Sequence, residues 1–349
     1  MSRLVQLVRA WQGARVLVLG DVVADELVVG RPLAIAREAP VLVLQHLESR
    51  LLPGGATNVA ANAAALGARA QMCGVVGDDE TGRRLLDTLR AAGLDCSGVF
   101  VDPSRPTTTK TRIWGGGAQQ QIQQLLLRLD RVDRTPVNGA VTEQMAAFIR
   151  AALAEVDALL IADYENGVIH PGLIEASLPA ALQSGKIVAV DSHGDLYRFR
   201  GATLFTPNQP EAEAALGRAM ATREALEAGG LELLAGLEAQ AVLITRGREG
   251  MTLLARGAPP RHLPAPDAPA VDPTGAGDTV AATFTLAAAA GASWEEAATL
   301  ASLAAGIVVA RVGTATATAD ELIQQVERLD ARRQDPPGRT PDPGSGAAM

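Results

Sequence analysis

The sequence predicts an α/β fold in which a mostly parallel central sheet carries helices on both faces, and three observations predict it. Short apolar runs rich in leucine or β-branched residues recur along the 349 residues, each followed by glycine or an acid and then by an alanine- and leucine-rich helical stretch. These runs are continuous rather than alternating, as strands buried on both faces are. Two stretches, 22–48 and 98–129, instead alternate apolar and polar residues, which predicts antiparallel strands outside the main sheet, gathered into a small β lid.

In chain order, strands are expected at 16–19, 71–76, 158–161, 187–190, 203–205, 242–245 and 251–254. Helices are expected at 57–66, with Thr57 as N-cap and Gly67 as stop, and at 81–92, stopped by Gly93. Residues 1–332 should form one domain. From 333 to 349 proline, glycine and small residues leave almost nothing to bury, so a disordered tail is expected. No fixed-period repeat is present.

Composition narrows the function classes. The 31 basic and 39 acidic residues give a net charge of −8, which opposes binding to nucleic acid or to an anionic membrane surface. Cys73 and Cys96 are too few for a disulfide framework or a thiolate metal cluster, so a reducing cytoplasm is the expected compartment. The first 11 residues lack the long apolar segment of an export signal, and the most apolar run, 283–292, is too short to span a bilayer.

The chemistry concentrates at residues 271–278, VDPTGAGD, which run directly into a helical stretch. Gly275, Ala276 and Gly277 put minimal side chains where N–H groups at a helix start can approach a phosphate, and the helix dipole favours negative charge there. Asp278 would repel that phosphate, a cost that makes sense for a base accepting a proton from an attacking hydroxyl. A lone first-turn acid is also an ordinary dipole partner; the longer string and its neighbours favour the base. The loop lacks the GK[ST] ending of a Walker A motif, and no GxGxxG follows the first strand.

The first strand ends in Gly20-Asp21, with Asp25 beyond it, and 53–62 read PGGATNVAAN. Asp21, Asp25, Asn58 and the pair Gly54-Gly55 suit a polyol, which needs acceptors, donors and close backbone approach. Taken singly, each is equally a turn or early-helix residue. In this order, GD-x3-D, GG-x2-N, the N-x2-E of 206–213 and DPTGAGD resemble the PfkB or ribokinase-like family of carbohydrate kinases over about residues 14–325. The resemblance implies a ribokinase-like three-layer fold with ATP along the carboxyl ends of the strands. It makes Asp278 the base and Gly275 to Gly277 the anion hole. Asn208 and Glu211 would organise Mg²⁺ and phosphates, with Glu211 toward the metal, and Thr245, Arg246, Gly247 and Thr274 would serve the nucleotide. Asn208 and Glu211 could also simply cap a helix beginning near Pro210.

Within the family, stretches such as TTTKTRI (107–113), IADYENG (161–167) and RGATLFTPNQPEAEAALG resemble the heptose-7-phosphate kinases of lipopolysaccharide-core precursor synthesis. The implied reaction transfers a phosphoryl group from ATP to the anomeric hydroxyl of D-glycero-D-manno-heptose 7-phosphate, with Asp163 added to the sugar-binding set. Those kinases carry lysine where this chain has Asn166 and His193, which leaves Lys110 and Arg128 as the candidate anion contacts on the lid; both are equally readable as surface charges. GGGAQQQIQQ at 115–124 is expected to reshape a lid strand. A small apolar wall near 301–309 is the expected nucleobase pocket. An adenylyltransferase module is not expected after the tail. Another PfkB-type kinase, acting on fructose phosphate, ribose or a nucleoside, and a catalytically silent sugar-binding regulator are the competing readings. Exposed lid strands invite edge pairing, so a homodimer through the lid is expected.

Overall fold

The computed structural model describes residues 2–116, 124–266 and 270–334. Strand β1 (Arg15–Gly20) is followed by two long lid strands, β2 (Val22–Ile35) and β3 (Leu42–Gly55). The chain returns to the core with β4 (Arg69–Val76) and β5 (Asp95–Val101), then re-enters the lid as β6 (Thr109–Gly115) and β7 (Gln124–Arg131). The remaining strands are β8 (Ala158–Asp163), β9 (Ile187–Ser192), β10 (Leu204–Phe205), β11 (Ala241–Thr245), β12 (Met251–Ala255) and β13 (Arg261–Leu263).

Nine strands form the central sheet in the order β13-β12-β11-β10-β9-β8-β1-β4-β5, and four form the lid in the order β3-β2-β6-β7. The central sheet is parallel from β11 to β5, with β12 and β13 added in antiparallel pairings at one edge. Side chains along β1 alternate between two cores: Val16 and Val18 face one, Leu17 and Leu19 the other. The first core is closed by α1 (Arg3–Ala10), α2 (Ala56–Ala65) and α3 (Glu80–Ala91), and by the C-terminal α8 (Ala276–Ala289), α9 (Trp294–Val308) and α10 (Ala319–Gln334). The second is closed by α4 (Gly139–Ala152), α5 (Pro171–Gln183), α6 (Gln209–Leu216) and α7 (Arg223–Gly236). The expected three-layer architecture is present.

Several boundaries differ from expectation. Residues 98–101 belong to β5 and pair in parallel with β4, so the lid's second segment begins only at Thr109. The lid is also mixed rather than antiparallel throughout, because β2 and β6 run parallel. Thr57 lies inside α2 and caps nothing; its hydroxyl donates to Gly54 O at 2.6 Å and to Val23 O at 3.2 Å, tying the helix to the lid hinge. The N-cap is Gly55, whose φ of 53° turns the chain from β3 into the helix. Helix α3 starts at Glu80, capped by the Asp79 carboxylate accepting from Gly82 N. The segment from 335 onward and most of the GGGAQQQIQQ stretch lie outside the described residues.

Candidate active site

The carboxyl ends of β8, β9 and β11, the start of α8 and lid strands β2 and β6 surround a cavity of about 1090 Å³. Gly275, at φ 81°, breaks the chain into α8, and a Cβ there would lie 2.6 Å from Asn58 Nδ2. A Cβ on Gly277 would meet no protein atom, which leaves the backbone open to the cavity it lines. Ala276, Asp278 and Thr274 line the same wall.

Asp278 is 9% exposed. Its Oδ2 accepts a 2.5 Å hydrogen bond from Asn58 Nδ2, and its Oδ1 accepts one from the Tyr164 hydroxyl. Burial pushes the carboxyl up to about 6; the bonds from Tyr164 and Asn58 and the Lys110 charge pull it down, while Asp25 raises it. The result is a carboxylate at the mouth of an N–H-lined helix start, poised to hold or release a proton near neutrality.

The other predicted residues divide into walls and supports. Asp25 lines the cavity and pairs with Arg112 Nη1 at 2.8 Å. Gly54 is glycine because a Cβ would stand 2.7 Å from the Asp25 carboxyl carbon, and Gly55 is itself at the wall. Lys110 lines the cavity with its ammonium 5.4 Å from the Tyr164 ring centroid, and burial lowers its pKa. Asn208 and Glu211 line it too, locked in a reciprocal capping box that starts α6. The capping reading of that pair therefore holds, and both side chains also stand at the cavity wall. Thr245 and Gly247 are at the wall, as are Ser302, Ala305, Gly306 and Val309, the small-residue surface expected for a nucleobase.

Asp21 and Asp163 stand behind the wall rather than in it. Asp21 accepts from the N–H groups of Tyr164, Asn166 and Val168 at 2.7, 3.3 and 3.2 Å, and burial pushes it up to about 6. Asp163 accepts from Glu165 N, the Ser192 hydroxyl and Arg198. Both hydrogen-bond to the turn after β8, and neither is at the cavity wall. Arg128 is paired with Asp130 at 2.7 Å on the exposed strand β7, and Arg246 turns to Gln209 and Glu249. Arg112 and Arg248 occupy the wall positions these two were expected to fill. Asn166 is buried away from the wall. His193 is at the wall with Nδ1 3.2 Å from Glu211 Oε1, and burial lowers its pKa.

Wall residues that the sequence reading missed include Tyr164, Asp191, Arg112 and Arg248. Tyr164 follows the last residue of β8; Asp191, the penultimate residue of β9, accepts from the Thr206 hydroxyl at 3.1 Å, and is held well above the usual carboxylate range by burial and by the Asp278 and Glu211 charges. For Arg112, the period-2 step from Lys110 along β6 was the available signal.

Comparison with known proteins agrees with this geometry. The pattern of the pfkB family carbohydrate kinases matches residues 15–321. The bifunctional protein HldE of Caulobacter sp. strain K31 is 48% identical over 323 residues, covering 92% of this chain and 64% of that protein. The HldE of Geobacter metallireducens strain GS-15 is 43% identical over 308 residues, covering 88% and 62%. The chain thus spans somewhat less than two thirds of the length of these curated relatives. Escherichia coli phosphofructokinase-2, in complex with substrates and products, superposes with a TM-score of 0.74 at 20% identity, covering 91% of this chain and 99% of that one. Arabidopsis thaliana ribokinase, complexed with ribose and ATP, gives 0.70 at 21%, covering 90% and 99%. A buried carboxylate beside a glycine-built helix start, in this fold and with this sequence match, identifies the chain as a member of the pfkB family of carbohydrate kinases.

Proposed function

We propose that the chain transfers the γ-phosphoryl group of ATP to the anomeric hydroxyl of D-glycero-D-manno-heptose 7-phosphate, giving the 1,7-bisphosphate. The observation that carries the reading is Asp278, buried at the start of α8 beside Gly277, where a Cβ would meet nothing within 4 Å and the backbone is open to the cavity. The substrate is supported by the 37–48% identity to bifunctional HldE proteins and by the resemblance to the heptose-7-phosphate kinases.

The sugar hydroxyl gives its proton to Asp278 as it attacks the γ-phosphorus, and the leaving group is the β-phosphate oxygen of ADP. The loose transition state asks little covalent chemistry of the protein, so alignment and charge stabilisation supply most of the acceleration. The open backbone at Gly277 and the α8 dipole face the charge that develops on the transferred group. Among the described residues no group of three or more His, Cys, Asp or Glu side chains forms a cage for a metal. That fits Mg²⁺, which keeps its waters and needs only one or two carboxylates besides nucleotide phosphates; Glu211 and Asp191 at the wall are suited to hold it. When bound, the ion would neutralise charge on the phosphates.

Lys110 and Arg112, on the lid face turned to the cavity, are the cations suited to the distal phosphate; His193 supplies none while neutral. We also infer a homodimer through the lid, whose outer side exposes Leu127 and Leu129 at 54% and 61%. Among the described residues no helix is long and apolar enough to cross a membrane, and Cys73 and Cys96 are free and buried, both compatible with work in the cytoplasm. A panel of heptose 7-phosphate, fructose 6-phosphate and ribose, read by ADP release and by ³¹P NMR of the product, tests the substrate. Preference for heptose 7-phosphate with an anomeric phosphate signal is expected; turnover of another sugar at higher kcat/KM overturns it.

A further inference from the structure

Tyr164 is fixed more tightly than a residue lining a cavity needs to be. Its N–H donates to the buried Asp21 carboxylate at 2.7 Å. The next residue, Glu165, takes a left-handed φ of 57°, a conformation that costs a non-glycine residue and persists where the surroundings impose it. The Tyr164 ring packs on the His193 ring, with centroids 4.7 Å apart, and lies under the Lys110 ammonium. All of this aims one hydroxyl at Asp278 Oδ1, while Asn58 holds Oδ2.

We propose that Tyr164 is a positioning residue for the base: its hydroxyl fixes the orientation in which Asp278 meets the sugar hydroxyl and keeps that carboxylate ionised. The proposal rests on Asp278 being the base of the reaction above. Hydrogen bonds to a carboxylate favour its charged form. The groups facing Asp278 are Asn58 from α2, Asp25 from β2, Lys110 from β6, Tyr164 after β8, and Asp191 from β9, whose charges meet across the cavity. Among the described residues, only Tyr164 and Asn58 hydrogen-bond to its carboxylate. Burial and the Asp278, Asp191 and Asp21 charges push the phenol well above its ordinary value, so Tyr164 remains a donor throughout the range in which the carboxylate titrates.

Tyr164→Phe keeps the ring against Lys110 and His193 and removes only the O–H. With an unchanged melting temperature, kcat should fall roughly 10- to 100-fold while both KM values stay within about twofold. The acidic limb of kcat/KM should move up by about one pH unit, the size of one hydrogen bond to a charged group. NMR of ¹³C-carboxyl-labelled aspartate, assigned with Asp278→Asn, reads the same ionisation without turnover: a midpoint of about 6 in the wild type and a higher one in the variant. Should Tyr164→Phe lose stability, 3-fluorotyrosine in place of the two tyrosines, a stronger donor at 164, should lower the midpoint instead. An unmoved limb and midpoint overturn the proposal, and so does a change confined to the sugar KM, which would make Tyr164 a substrate contact. If the wild type rejects heptose phosphate yet the NMR midpoint moves as described, the substrate assignment fails and the positioning role stands.

Discussion

At Asp278 two demands oppose each other, because a base must be ionised before it can take a proton, and burial disfavours the ion. The carboxyl is pushed up to about 6 by desolvation, with Tyr164 and Asn58 limiting the rise. Turnover at limiting sugar should therefore fall about tenfold per pH unit below that value, which a kcat/KM profile from pH 4.5 to 8 will check. A carboxyl whose folded pKa lies above its unfolded value weakens the fold at neutral pH, and the penalty disappears as pH drops below the unfolded value of 3.8. Asp278→Asn should then lose kcat by a factor on the order of 10²–10⁴ yet melt no lower than the wild type at pH 7, measured by calorimetry on the same preparation. Asp278 was legible in the sequence because its chemistry is local: the glycines, helix start and carboxylate are consecutive. Tyr164 was not, because the contact with residue 278 exists only once the parallel sheet brings the end of β8 beside the start of α8. Asp21 shows the converse. An acid at a strand end reads as a ligand for a polyol, but its hydrogen bonds go to three backbone N–H groups of a neighbouring turn.

Strand β6 works by alternation: Lys110 and Arg112 point to the cavity, and Thr111 lies on the other side, bonded to Glu26 at 2.8 Å. Arg112→Ala should raise KM for a phosphorylated sugar about 10- to 100-fold, with a smaller effect on an unphosphorylated one, as expected for one charge-assisted bond. Steady-state kinetics with both acceptors will separate the two. The same lid depends on Asp79, which caps α3 and also accepts from Thr107 N at 2.9 Å and Thr107 Oγ1 at 2.7 Å, just before β6 begins. Burial raises the Asp79 pKa, but these bonds outweigh it and hold the carboxyl below its usual value. Its contribution is thus complete above the unfolded value of 3.8 and is lost as pH falls through the lower folded value. Asp79→Ala should cost about 0.5–2 kcal/mol at pH 7, and less at pH 3, by urea titration. Strands of the central sheet were readable because each buries a continuous apolar run. Helix starts were less so: Thr57 has cap chemistry, yet Gly55, by adopting a positive φ, starts the helix two residues earlier.

For the molecule as a whole, the lid poses a problem the central sheet does not. The nine core strands are covered by helices, whereas the four lid strands have the cavity on one side, and among the described residues Leu33, Ile35, Leu42, Leu47, Leu127 and Leu129 are each left more than 45% exposed. Register explains the placement: Leu127 pairs with Ile113 and Leu129 with Thr111, the β6 residues that alternate with Arg112 and Lys110, so these leucines lie on the face turned away from the cavity. The lid also ends in unpaired edges at β3 and β7. An apolar face on an accessory sheet favours aggregation, and in the homodimer we propose a second copy of the same lid would remove it from water by a closed two-fold contact. Light scattering should give twice the 36.1 kDa chain mass for the wild type and the single mass for Leu127→Glu/Leu129→Glu. If the lid is held in place by its partner, the double variant should also bind sugar more weakly while nucleotide binding changes little, because the nucleotide-side wall is built from β11, α8 and α9 of the core. A wild-type monomer at micromolar concentration would remove the dimer; a dimer surviving both glutamates would move the contact elsewhere.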